Sequence, residues 1–204
     1  MSRRAIFLDR DGVLVRDVGP LTSAADIELT PGLAPGLAAL SRAGFLLVVV
    51  SNQTVVARGL LDESEVIELQ RQVEGRIVAE SGPALDAFYF CPHHPKATRV
   101  ELRTDCACRK PAPGLLLRAA AELDISLAES FMIGDRASDV VAGLRAGCTT
   151  IQLTTGAHLA PLIEVTGGFE ARAAHHVAAN LQEAAELVLR RAATDAPRAL
   201  GAAS

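Results

Sequence analysis

Residues 45–50 read FLLVVV and run straight into Ser51-Asn52-Gln53. Six apolar residues in unbroken succession leave no polar face, so this stretch suits the centre of a parallel sheet rather than a half-exposed strand. Working outward, a helix is expected from Pro31 to Ala43, closed by Gly44, with a short apolar strand at Ala5–Leu8 before it. On the other side Asp62 has the chemistry of an N-cap for a long helix reaching about Glu80. Ala87–Phe90 reads as a third strand, followed by a polar segment from Cys91 to Lys110. The alternation then resumes with a helix at Pro113–Leu123, a strand at Phe131–Ile133 and a helix at Ser138–Ala146 closed by Gly147. Strands at Thr149–Leu153 and His175–Val177 and a helix at Leu181–Ala192 complete it. Such alternation predicts an α/β fold: a three-layer sandwich with a central, mostly parallel sheet. Residues 1–192 are expected to form one domain, with 193–204 a frayed tail.

Composition narrows the function classes. The chain has 204 residues and 50% apolar content, room for one well-buried core and little more. Net charge is -4 and the aromatic content is 3%, so neither a basic track nor a stacking platform for nucleic acid is supplied. The apolar run after Arg3-Arg4 is broken by Asp9, Arg10 and Asp11, which excludes a signal peptide, and no stretch is long enough to span a bilayer. The expectation is a cytoplasmic monomer without membrane or nucleic-acid partners. Its cysteines, being clustered, suit a metal better than disulfides in that compartment.

Two acidic motifs follow strands: Phe7-Leu8-Asp9-Arg10-Asp11-Gly12 and Gly134-Asp135-Arg136-Ala137-Ser138-Asp139. Parallel strands bring such ends together, and carboxylates gathered around one point repel unless a divalent cation neutralises them. Oxygen ligands of this kind favour Mg²⁺. Ser51-Asn52-Gln53, at the end of the FLLVVV strand, offers a hydroxyl and amides to phosphoryl oxygens, and Arg109-Lys110-Pro111 offers a planar fork and a point charge. Cys91-Pro92-His93 and Cys106-Ala107-Cys108 make a C-x-H and C-x-C pair, a closed four-ligand set for structural Zn²⁺. That staple would hold the 91–110 loop. Cys148 lies outside the pattern, and His94 has no role in it.

Taken together and in this order, the four segments resemble the haloacid dehalogenase superfamily of phosphatases. The resemblance implies a Rossmann-like fold, here without a large cap domain. It implies Asp9 as nucleophile, Asp11 as general acid and base, and Ser51 and Lys110 as phosphoryl-stabilising groups. Mg²⁺ would be held by Asp9, Asp135 and the backbone carbonyl of Asp11, while Asp139 would orient Lys110 or the metal shell. F-L-D-R-D-G-V, S-N-Q…A-R-G, C-P-H-H-P and C-x-C-R-K-P are similar to the heptose bisphosphate phosphatases and their histidinol-phosphate phosphatase relatives. The long 94–105 stretch favours the heptose branch, which removes the 7-phosphate of D-glycero-D-manno-heptose 1,7-bisphosphate. Substrate contacts would then come from Asp17, Gly19, Asn52, Gln53, Arg109 and Arg136, with Arg109 on the remaining phosphate.

Thr54-Val55-Val56 and Arg136 stand where that branch carries other residues, so the sugar and its anomer stay open at this point. The alternatives are a histidinol-phosphate phosphatase and, from another class, a phospho-acceptor domain or an inactive zinc-stapled binding module.

Overall fold

A computed structural model describes residues 2–80, 82–155 and 174–195. The strands are β1 (Ala5–Leu8), β2 (Leu46–Asn52), β3 (Ala87–Cys91), β4 (Phe131–Gly134), β5 (Thr149–Leu153) and β6 (His176–Ala178). The helices are α1 (Leu33–Arg42), α2 (Thr54–Ala57), α3 (Glu63–Ala79), α4 (Gly114–Leu123), α5 (Ala137–Ala146) and α6 (Leu181–Asp195). All strands pair in parallel in the order β3-β2-β1-β4-β5-β6. Among the described residues the sheet is therefore wholly rather than mostly parallel, with α1, α3, α4 and α5 as the crossovers that lead from β1 to β2, β2 to β3, β3 to β4 and β4 to β5.

Strand periodicity divides the core into two layers. Ile6 and Leu8 of β1, Val49 of β2 and Ile133 of β4 face one side, where Leu37 of α1, Val73 of α3 and Val188 of α6 cover them. Ala5, Phe7, Val48, Val50 and Met132 face the other, under Leu115 and Leu116 of α4 and Ala142 of α5. Both faces are dry, which is why FLLVVV carries no polar residue. On the first side α1 and α6 touch backbone to backbone. A Cβ on Gly36 would come within 3.0 Å of the Leu181 carbonyl, so a larger residue there would push the helices apart.

Several boundaries differ from the sequence reading for local reasons. α1 begins two residues after Pro31 because Gly32 adopts φ 75°, which a right-handed helix cannot include. His175 is not in β6; its Nδ1 accepts from the Thr150 backbone N–H at 3.0 Å and caps the neighbouring strand instead. α6 continues to Asp195, past the expected end at Ala192, and the rest of the expected tail, 196–204, lies outside the described residues. α3 is closed as its residues require: Asp62 accepts from the Glu65 N–H at 2.8 Å, and Glu65 accepts from the Asp62 N–H at 2.7 Å.

The short helix α2 runs against intrinsic propensity, since Thr54, Val55 and Val56 are β-branched. Burial decides: Val55 and Val56 pack with Val66 against Phe88, Phe90 and Leu102. The strand order reverses between β1 and β4, and the chain leaves those neighbours in opposite directions. A crevice opens at that point, at the carboxyl ends of the strands.

Candidate active site

The crevice is a cleft of about 450 Å³. Asp9 follows β1 directly, and its backbone N–H donates to the Ile133 carbonyl of β4 at 3.1 Å, so the sheet ladder itself sets its position. Asp9 Oδ1 accepts from Lys110 Nζ at 2.9 Å and from the Arg10 N–H at 2.7 Å. Lys110 Nζ also donates to Asp139 Oδ1 at 2.7 Å and to the Val50 carbonyl at 2.7 Å. Burial alone would lower the Lys110 pKa, but Asp139 and Asp9 outweigh it and hold the ammonium charged. A reciprocal pair, Asn52 Nδ2 to the Lys110 carbonyl and Lys110 N–H to Asn52 Oδ1, both 3.0 Å, ties this lysine to the end of β2.

Asp135, at the end of β4, is fully buried, and neither of its carboxylate oxygens has a hydrogen-bond partner among the described residues. Burial, with Asp9 and Asp139 nearby, pushes its carboxyl up to about 7. Oxygens of Asp9, Asp135 and Asp139 lie within 4.8 Å of one another. Gly12 completes the cradle. Its φ of 86° and its closeness to the Asp135 carboxylate, which any Cβ would strike, both demand glycine. An orphaned buried carboxylate among hard oxygen donors fits a divalent cation such as Mg²⁺. Asp139 is the less open of the three, because Lys110 takes Oδ1 and the Arg136 N–H donates to Oδ2 at 3.0 Å. The carboxylate of Asp11 stands apart from this group.

Asp11 faces the cleft with other partners. Arg10 Nε donates to its Oδ1 and Arg10 Nη2 to its Oδ2, each at 3.1 Å. Gln53 Nε2 donates to Asp11 Oδ2 at 3.2 Å and to Ser51 Oγ at 2.8 Å, linking the two. Burial raises the Asp11 pKa, and Arg10 opposes that rise. The rim carries charge from three elements. Arg136 Nη2 reaches across to Asp17 Oδ2 at 2.5 Å, and Arg109 Nη1 donates to the His93 carbonyl at 3.0 Å. The loop bearing Asp17 and Gly19 is anchored by buried Val15, Leu21 and Ile27.

The structure thus lines one cleft with Asp9, Asp11, Asp17, Gly19, Ser51, Asn52, Gln53, Arg109, Lys110 and Arg136, all singled out from sequence. It adds Arg10, Arg58 and Ser138, which were not. Arg10 carried one usable signal: a cationic residue set between two aspartates just past an otherwise apolar strand.

Beside the cleft, Cys91 ends β3, and Cys106 and Cys108 come back to it from the following loop. Their sulfurs are 3.5 Å (91 to 106), 3.2 Å (91 to 108) and 3.1 Å (106 to 108) apart. His93 Nδ1 is 3.6 Å from Cys91 Sγ and 3.4 Å from Cys108 Sγ. Zn–S bonds near 2.3 Å imply tetrahedral S···S edges of about 3.8 Å and S···N edges of about 3.6 Å. The nitrogen edges match, the sulfur edges are a few tenths shorter, and none approaches disulfide length. By composition and spacing the four side chains are a candidate metal site. No helix among the described residues is long and apolar enough to cross a membrane.

The chain is similar in sequence and fold to known proteins. The HAD-hydrolase-like family model matches residues 107–184. A Photorhabdus laumondii protein named D-glycero-beta-D-manno-heptose-1,7-bisphosphate 7-phosphatase is 40% identical over 153 residues, 74% of this chain and 81% of that one. A Vibrio cholerae protein of the same name is 40% identical over 157 residues, 76% of this chain and 84% of its own length. Among solved structures, D,D-heptose 1,7-bisphosphate phosphatase from B. bronchiseptica, complexed with magnesium and phosphate, aligns with TM-score 0.78 and 31% identity. That alignment spans 92% of this chain and 99% of the other. The chain belongs to the D-glycero-beta-D-manno-heptose-1,7-bisphosphate 7-phosphatase family of HAD-like hydrolases.

Proposed function

We propose that this chain removes the 7-phosphate of D-glycero-β-D-manno-heptose 1,7-bisphosphate through an aspartyl-phosphate on Asp9. The observation that carries the reading is the buried convergence of Asp9 and Lys110, which line a cleft with Arg109 and Arg136, with the unpartnered Asp135 within 4.8 Å of Asp9. Relatives bearing this substrate's name supply the sugar and the β-anomer. An Asp9 oxygen attacks phosphorus while the P–O7 bond breaks, and the electron pair leaves on O7, which takes a proton from Asp11. Water then attacks the phosphoryl group as Asp11 takes its proton, the Asp9–phosphorus bond breaks, and Asp9 is restored. Lys110 and Ser51 stabilise the equatorial oxygens from the end of β2. Mg²⁺ bound by Asp9, Asp135 and the Asp11 carbonyl would screen nucleophile from substrate and offset phosphoryl charge.

Arg109 and Arg136 take the phosphate that stays, with Asp17, Gly19, Asn52 and Gln53 around the sugar. Zn²⁺ on Cys91, His93, Cys106 and Cys108 would be structural, since four protein ligands leave no position for a water. Every group comes from one chain, so a monomer suffices. Four free cysteines suit the cytoplasm.

The test is phosphate release with Mg²⁺ across both anomers of the heptose 1,7-bisphosphate, histidinol phosphate and plain sugar monophosphates. The β-bisphosphate is expected to lead, and Asp9→Asn to be silent, slower by on the order of 10⁴-fold or more, with its zinc content unchanged. Preference for histidinol phosphate would move the substrate and keep the mechanism. Silence of the wild type across the panel, with or without EDTA, would remove both.

A further inference from the structure

We propose that Arg10, the residue between the two aspartates, is the positioning residue that aims Asp11 at the leaving oxygen. This inference rests on the reading of Asp11 as the proton donor. Arg10 is among the largest fully buried side chains, at 1% exposure, whereas the Asp11 side chain retains 23% and faces the cleft. Guanidinium and carboxylate meet as two planar forks, Nε on Oδ1 and Nη2 on Oδ2, which fixes both torsions of the shorter side chain. Arg10 is in turn fixed by its backbone. Its N–H donates to Asp9 Oδ1, and its carbonyl accepts from Leu14 at 2.9 Å and Val15 at 3.1 Å.

Asp11 is the guanidinium's single ion-pair partner among the described residues, and Nη1 is buried without a hydrogen bond there. A buried cation carries a large desolvation penalty, and a pair this local does little that an apolar pair could not do for stability. Its geometric effect is the distinctive one. It holds the donor oxygen at a set distance from Asp9, in the element that carries both. In the first step the bond from phosphorus to the leaving oxygen breaks, the electron pair stays on that oxygen, and the proton moves to it from Asp11. A misaimed donor slows that transfer only when the leaving oxygen needs the proton.

The experiment compares kcat/KM for two probes with purified Mg²⁺-loaded protein. One is the heptose 1,7-bisphosphate, whose alkoxide leaves poorly; the other is 2,4-dinitrophenyl phosphate, whose phenolate leaves without help. Arg10→Met is expected to lose about 100-fold on the first and less than about threefold on the second. Arg10→Lys, which keeps the charge but cannot span both oxygens, is expected to lose about tenfold on the first alone. It carries the test if Arg10→Met does not fold by circular dichroism. Equal losses on both probes, or none on either, overturn the proposal. Asp11→Asn separates the two levels: a leaving-group-dependent loss there with a flat Arg10→Lys sinks only the positioning role. A flat Asp11→Asn removes the proton donor, and this inference with it.

Discussion

Asp9 and Asp135 stand at the ends of two hydrogen-bonded strands, whereas Cys91, His93, Cys106 and Cys108 are gathered from one strand end and a long polar loop. The first site is held by what surrounds it. Phe7, Leu8, Met132 and Ile133 are buried immediately behind it, so the carboxylates stay together although they repel. The second has little apolar material of its own, Ala97 and Leu102 being its main contributions, and a metal on its four Cys/His side chains would cross-link it. One region is a site imposed on a fold; with a metal bound, the other would be a local fold imposed by a site.

The largest expected effect that tests this contrast lies in the cleft. Lys110→Met leaves Asp9 and Asp139 as buried carboxylates without their shared cation, and about 3–5 kcal/mol of stability should be lost in urea unfolding, together with turnover. Arg16→Ala, at an exposed pair with Glu28 2.6 Å long, should lose less than about 1 kcal/mol. Similar losses for the two variants would mean that the sheet does not impose the charge cluster.

Cys106→Ser should act more narrowly. Amide exchange is expected to speed up across 92–110 while β1, β2 and β4 remain protected. KM for the bisphosphate should rise by roughly ten- to a hundredfold, the weight of a charge-assisted hydrogen bond, because Arg109 leans on the His93 carbonyl. kcat should change little, since Lys110 is anchored separately through Asn52 and Val50. Loss of protection in the strands would break the distinction between the two regions.

The smallest effect sharpens it. Asp135 has a folded pKa near 7, well above the unfolded value, so its contribution to stability is full at acid pH and is lost as pH rises through about 7. With metal chelated, the melting temperature should therefore fall between pH 5 and pH 8, and Mg²⁺ at pH 8 should restore it. A melting temperature that rises over that range without metal would show the carboxylate cluster to be relaxed rather than strained.

Much of this was legible in the order of residues. Continuous apolar runs announced buried parallel strands, and the positions of Asp9, Ser51 and Asp135 at their ends fit the rule that such sheets bind at their carboxyl ends. The capping pair Asp62 and Glu65 was written locally as well. What was not legible depended on distant partners. α2 forms because Val55 and Val56 find Val66, Phe88 and Leu102, which no window around Thr54 contains. Arg10 had no role in the sequence reading, and only the fold buries its guanidinium and sets its fork on the two oxygens of Asp11.

The sequence by itself determined the α/β alternation, the acidic and cationic residue types near the strand ends, and the Cys/His set that makes a candidate metal site, because periodicity and ligand chemistry are local properties of the chain. Only the tertiary structure decided the strand order that brings Asp9 beside Asp135, the choice of Asp139 and Asp9 as joint partners of Lys110, and the reach of Arg136 to Asp17. Those depend on which strands become neighbours, and that is settled by burying both faces of the sheet at once.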